Sequence, residues 1–130
     1  MKGIYALVIS VNKDIVVNIG ALSKRKFDKG LYVYVGSAQT SMEKRIGRHL
    51  RKIKRKFWHI DYLLDSDDVN ILKVFHKKGA RSEECKAAKE LGKVGIVIKG
   101  FGSSDCNCEG HLIKLESYEF LRDWMDELIL

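Results

Sequence analysis

Apolar and polar positions change period along the chain, and each change marks an element. Residues 3–11, Gly-Ile-Tyr-Ala-Leu-Val-Ile-Ser-Val, are largely apolar on both alternating faces, the pattern of a central strand covered on both sides. Asn12-Lys13-Asp14 is a turn signal and residues 15–19 resume strand character, so the two runs read as a hairpin. Residues 23–30 are polar and close on Asp28-Lys29-Gly30, a second turn. Residues 31–35 alternate as a third strand, with Tyr32 and Tyr34 on one face and Leu31, Val33 and Val35 on the other. Gly36-Ser37-Ala38-Gln39 makes the exit. The period then becomes helical. Thr40 and Glu43 have capping-box spacing, and Met42, Ile46, Leu50, Ile53 and Phe57 form one apolar stripe.

The second half continues the alternation. Residues 58–64 are a short mixed segment, 65–68 a polar turn and 69–76 a strand. Ser82 is placed to cap a helix running to about Leu91, with Glu83 and Glu84 in its first turn. Residues 94–98 read as a short β segment, Gly100-Phe101-Gly102-Ser103-Ser104-Asp105 as a loop, and 111–115 as a last strand. Ser117 opens a predicted terminal helix with Phe120, Leu121, Trp124, Met125, Leu128 and Ile129 on one broad face. This order predicts an α+β fold over residues 1–130 as a single domain, with a small, mostly antiparallel sheet flanked by helices.

Charge sharpens the picture because it is local. The 130 residues carry a formal charge of +7. Between Lys44 and Lys56 there are eight basic side chains and no acidic one, so the remainder is close to neutral. On the predicted helix, Arg45, His49, Lys52 and Lys56 follow one edge of the apolar stripe, while Lys44, Arg48, Arg51 and Arg55 face further outward. Such a patch suits a polyanion such as nucleic acid, or is a solvated helix face. A membrane role is disfavoured. No apolar run approaches the roughly 18 residues of a span, and the basic helix has no large apolar face beyond what its own core consumes.

Three cysteines, Cys85, Cys106 and Cys108, cannot close a disulfide framework, and an odd count fits a reducing, cytoplasmic setting. The apolar N-terminal run is short, lacks a small-residue cleavage site and reads as a strand, not a signal peptide. Cys106-Asn107-Cys108-Glu109-Gly110-His111 is half a metal site; Zn²⁺ wants four ligands, and Cys85 is the fourth if the fold brings it near. The other reading is a hydrogen-bonded loop. Trp58-His59-Ile60-Asp61-Tyr62 also has two readings. His59 and Asp61 form an acid–base pair or phosphate contact if extended, or Trp58 anchors the helix end while Asp61 orients His59.

Gly3-Ile4-Tyr5 and Tyr34-Val35-Gly36 resemble the two signature halves of the GIY-YIG nucleases. Arg45, His49 four residues on, and a glutamate on a later helix, best fitted by Glu84 with Glu83 as its neighbour, extend the pattern. Tyr-Val-Gly-Ser-Ala at 34–38, Arg-His-Leu at 48–50, Trp-His-Ile-Asp-Tyr-Leu at 58–63, Glu84-Cys85 and Gly-Phe-Gly-Ser-Ser-Asp-Cys at 100–106 are similar to an archaeal and bacterial, Uri-type branch. The resemblance implies a metal-dependent endonuclease. In it Glu84 would hold Mg²⁺ or Mn²⁺, Tyr5 would orient or deprotonate a water, and Arg45 and Tyr34 would bind the phosphate. His49 would carry a proton. Lys44, Arg48, Arg51, Lys52, Lys54, Arg55, Lys56 and His59 would contact DNA of low sequence specificity, whether branched, single-stranded or duplex. Two alternatives use the same fold: a non-catalytic nucleic-acid-binding module, and an RNA-processing nuclease.

Overall fold

The computed structural model describes residues 2–52, 54–103 and 106–129. In chain order its elements are β1 (Gly3–Val11), β2 (Ile15–Asn18), β3 (Lys24–Phe27), β4 (Gly30–Ala38), α1 (Met42–Leu50), α2 (His59–Leu64), β5 (Val69–Lys77), α3 (Ser82–Gly92), β6 (Ile96–Val97), β7 (Leu112–Leu115), α4 (Leu121–Trp124) and β8 (Asp126–Leu128). Six strands form one antiparallel sheet in the order β6-β7-β4-β1-β5-β8, giving an α+β fold. No helix among the described residues is long and apolar enough to cross a membrane.

The doubly apolar pattern of β1 has its cause in this topology. The strand is central, and its two faces feed separate cores. Tyr5, Leu7, Ile9 and Val11 join Met42 and Ile46 of α1, Ile60 and Leu63 of α2, and Ile19 and Phe27. Ile4, Ala6 and Val8 pack with Ala87 and Leu91 of α3 and with Leu121 and Met125. Tyr32 and Tyr34 share the first of these faces, while Val33 and Val35 take the second, as their alternation requires.

The expected β1–β2 hairpin does not form. Both edges of β1 are occupied, by β4 and β5, and a strand edge can be paired only once. β2 instead pairs with β3, which lies in the polar segment ahead of the Asp28-Lys29-Gly30 turn, and makes a separate two-stranded ribbon.

The predicted long basic helix is also shorter. α1 ends at Leu50, and its cap is Ser41, whose hydroxyl accepts from the Lys44 N–H at 3.3 Å, in place of Thr40. Repeated like charges four residues apart disfavour continuing the helix. Stopping it is favoured by Lys54, whose ammonium donates to the carbonyls of Arg48, His49 and Arg51 at 3.2, 2.9 and 2.9 Å. Ile53 of the predicted stripe lies outside the described residues, and Phe57 is 77% exposed rather than packed. Residues 59–64 are helical, not mixed. Ser82 is the first residue of α3 and not its cap, which is Arg81. The terminal helix gives way to a short α4 and then β8, which covers the outer edge of β5 through Val74, Phe75 and His76.

Asp61 ties the turn after α1 to α2. Fully buried, it accepts a two-pronged contact from Arg48 (2.8 and 2.9 Å) and the N–H groups of Phe57 and Trp58 (both 2.8 Å). Burial alone would raise its carboxyl, but these donors outweigh it and hold the pKa below the usual carboxylate range. A depressed carboxylate contributes stability above its unfolded pKa, near 3.9, and that contribution is lost as pH falls through the folded value. Asp61→Ala should lower the urea-unfolding free energy at neutral pH by about 3 kcal/mol. It should also remove part of the loss of stability below about pH 4. A change of less than about 0.5 kcal/mol would contradict this role.

Candidate active site

Two of the glycines singled out in the sequence are demanded by close approach. β1 and β4 pair over their whole length, setting Tyr5 opposite Gly36 and Leu7 opposite Tyr34. The Tyr5 ring lies across Gly36 so closely that a Cβ there would sit 2.4 Å from the ring carbon bearing the hydroxyl. A Cβ on Gly3 would meet the Lys77 carbonyl oxygen at 2.2 Å, so β5 could not pair as it does. Backbone pairing therefore puts Tyr5 and Tyr34 side by side on one face, at the end of the sheet where β4 leaves for α1.

An open cleft of about 500 Å³ lies there, lined by Tyr5, Tyr34, Arg45, His59, Arg81 and Glu84, with Phe57 and Trp58 at one side and Cys85, Cys106 and His111 at the other. Tyr5 Oη and His49 Nε2 are 2.6 Å apart. His49 is buried one turn along α1 from Arg45, and burial pushes its imidazole down to about 3, so it is neutral at physiological pH. Its other ring nitrogen, Nδ1, is buried without a hydrogen-bond partner among the described residues. Burial raises the Tyr5 phenol, opposed by the charge and hydrogen-bonding of Arg45, and raises Tyr34 as well.

Arg45 is held rigidly. Its Nη1 donates to the Ser37 carbonyl at 2.8 Å, and its guanidinium carbon lies 4.4 Å from the centre of the Trp58 ring. Arg48 stands at the same 4.4 Å from that ring. Glu84 enters from the first turn of α3, and its carboxylate lies 3.4 Å from His111 Nδ1. Glu83, its competitor by position, pairs with Lys86 at 3.4 Å and faces away from the cleft. Glu84 is the one carboxylate lining the cleft among the described residues. One hard oxygen ligand facing open polar space suits Mg²⁺ or Mn²⁺, which retain several waters.

The basic run is more committed to folding than its composition suggests. Arg48 is bound to Asp61; Lys54 caps α1; Lys52 donates to the carbonyls of Leu64 and Ser66 at 2.8 and 2.7 Å, ending α2; Lys56 lies 3.4 Å from Asp65. Lys44, Arg51 and Arg55 are exposed. A second hollow of about 390 Å³, lined by Arg48, Arg51, Lys54, Arg55, Phe57 and Trp58, adjoins the first through the two aromatic residues. The expected single cationic helix face is thus an irregular cationic turn leading past Phe57 to the cleft. His59 and Asp61 do not form a pair. His59 Nδ1 accepts from the Gly102 N–H at 2.9 Å, while Asp61 turns to Arg48.

Cys85, Cys106, Cys108 and His111 come together, with one ligand atom of each lying within 4.8 Å of all the others. None of the three cysteines is joined in a disulfide, and burial, then the neighbouring thiols, push Cys108 up to about 12. Sequence reading passes over Arg81, which lines the cleft, and places Phe57 in the core. A signal for Arg81 exists: a cation directly before a helix opposes the dipole and calls for another reason to be there.

The sequence model of one protein family, described as a domain of unknown function, DUF123, matches residues 4–129. No curated protein and no solved structure matches the chain.

The neutral imidazole of His49 makes a prediction with a definite sign. Between its folded value of about 3 and the unfolded value near 6.5, the unfolded chain binds the extra proton. Stability therefore falls as pH drops below about 6.5, with His59 and His111, also lowered by burial, adding in the same direction. The His49 ring resonances should stay flat from about pH 8 to about pH 5 in an NMR titration. A midpoint near 6.5 would contradict the buried neutral state.

Proposed function

The chain belongs to the DUF123 family, and from its cleft we propose that it is a metal-dependent endonuclease hydrolysing phosphodiester bonds in DNA, structure-selective or weakly sequence-selective. The observation that carries the reading is the convergence of Tyr5, Tyr34, Arg45 and Glu84 on one cleft beside a cationic turn. Their order along the chain resembles that of the GIY-YIG nucleases, and their chemistry supports the same reading independently.

In this reading the phosphodiester lies against Arg45, whose planar fork matches two phosphate oxygens and is aimed by Ser37 and Trp58. Tyr34 donates to the phosphate. A water attacks phosphorus as Tyr5 takes its proton, while the phenolic proton passes along the 2.6 Å bond to His49 Nε2. His49 is a weak base in the free protein, but the negative charge of a bound phosphodiester raises the pKa of a neighbouring imidazole. The bond to the departing oxygen breaks, and that oxygen takes a proton from solvent. A divalent cation on Glu84 would supply positive charge at the phosphate and the departing oxygen.

Low specificity follows from the surface beside the cleft. Lys44, Arg51 and Arg55 offer point charges to phosphates, which position a nucleic acid without reading its bases. Exposed Phe57, ring-to-ring with Trp58 at 5.5 Å, offers a face on which a base of any identity stacks.

The test is cleavage of end-labelled single-stranded, branched and duplex DNA, with matched RNA, in Mg²⁺ or Mn²⁺. Wild type is compared with Glu84→Gln and Arg45→Ala. Each substitution should slow cleavage about 100-fold or more while the fold is retained. Equal cleavage by all three proteins would overturn the reading. Salt-dependent binding with no cleavage by any of them would identify a non-catalytic module, and preference for the RNA strands an RNA-processing nuclease.

A further inference from the structure

Beside the cleft, two segments distant in sequence, α3 and the β6–β7 connection, present soft ligands to one point. Cys85 comes from the first turns of α3, Cys106 and Cys108 from the connection between β6 and β7, and His111 from the residue before β7. One ligand atom from each lies within 4.8 Å of all the others. A tetrahedral zinc ion with Zn–S of about 2.3 Å and Zn–N of about 2.0 Å sets sulfur and nitrogen about 3.5 Å apart and two sulfurs about 3.8 Å apart. The Cys106 Sγ to His111 Nε2 distance, 3.3 Å, is already close to the first of these. The set is therefore within small side-chain adjustments of a closed four-ligand shell.

The surroundings of His111 independently point to a metal ligand. Its Nδ1 faces the Glu84 carboxylate at 3.4 Å, and its Nε2 faces the sulfurs. A carboxylate behind an imidazole fixes the ring proton on Nδ1 and turns the Nε2 lone pair outward, the arrangement usual behind zinc-bound histidine. The His111 backbone is pinned on both sides: its N–H donates to Phe101 at 2.7 Å and its carbonyl accepts from Val35 at 2.9 Å. Gly110 lets the chain pass the Ile98 carbonyl, which a Cβ would approach to 2.3 Å. The ligands thus sit on fixed backbone. A disulfide between any two of the thiols would leave the third thiol and the imidazole without a role.

We propose that Cys85, Cys106, Cys108 and His111 bind one zinc ion as a closed structural site that clips α3 to the β6–β7 connection. Three sulfurs and one imidazole select zinc over the hard cations suited to Glu84. Each coordinating thiol releases one proton to solvent on binding. The ion stands one residue from Glu84 along α3, and its His111 ligand contacts the Glu84 carboxylate. On the proposed nuclease reading, the zinc site holds the catalytic carboxylate in position.

The experiment uses the full chain, purified under reducing conditions, with zinc alone as the probe. Elemental analysis after desalting should give one zinc per chain. Replacement by cobalt should produce thiolate charge-transfer bands and the visible bands of tetrahedral cobalt. Cys108→Ser should weaken the charge-transfer bands and lower zinc affinity, and Glu84→Gln should lower zinc affinity about 10- to 100-fold. Wild-type protein that retains no zinc, or that gives an octahedral cobalt spectrum, would overturn the proposal. So would a disulfide among the three cysteines, or zinc binding unchanged in Cys85→Ser and Cys108→Ser. None of these readouts depends on cleavage, so failure of the zinc site and failure of the nuclease reading are distinguishable.

Discussion

The close contact of the Tyr5 ring with Gly36 is the constraint on which the site depends. It follows from the full antiparallel register of β1 and β4, which sets these two residues opposite each other. With no side chain on Gly36, the phenol lies across the sheet and reaches His49, and Tyr34 stands diagonally beside it. Any larger residue at 36 would displace the ring and break that bond. α1 is placed by the same face, since Met42 and Ile46 pack into the core that Tyr5 and Tyr34 line. Arg45 is thereby delivered to the cleft, and His49, one turn on, to the Tyr5 hydroxyl behind it.

Electrostatics divides the basic run into two jobs. Part of it completes the fold: Arg48 compensates buried Asp61, and Lys52 and Lys54 end two helices by donating to carbonyls. These cations bend the chain back after α1 and so bring Trp58 onto Arg45. Lys44, Arg51 and Arg55 stay at the surface. A net charge read as one docking face is therefore partly internal, and the exposed portion is a short cationic turn that leads past Phe57.

Elements whose pattern is local are legible from the chain: β1, β4 and β5 follow from their periods, although β4 runs on through the expected exit to Ala38, and α3 follows from the acids of its first turn. Elements decided by non-local competition are not. β2 reads as a partner for β1 because nothing local tells that β5, far along the chain, takes that edge. The end of α1 depends on Lys54 folding back, and on Asp61 waiting thirteen residues beyond Arg48. β8 reads as helix because Leu128 and Ile129 continue the helical apolar spacing of Leu121, Trp124 and Met125, and only the open edge of β5 decides. The site divides in the same way. Tyr5, Tyr34, Arg45, His49 and Glu84 stand out by residue type and order, whereas the place of Cys85 in the sulfur cluster depends on where α3 docks. Arg81 reaches the cleft for the same reason.

In the proposed mechanism the Tyr5 hydroxyl, and not merely its ring, serves the chemistry. Tyr5→Phe keeps the ring over Gly36 and removes a single oxygen. The most direct measurement is the single-turnover rate of DNA cleavage by this variant in Mn²⁺, read beside its thermal stability. A native-like melting transition and a rate lowered about 100-fold or more are expected. A folded Tyr5→Phe protein that cuts at the wild-type rate would contradict it.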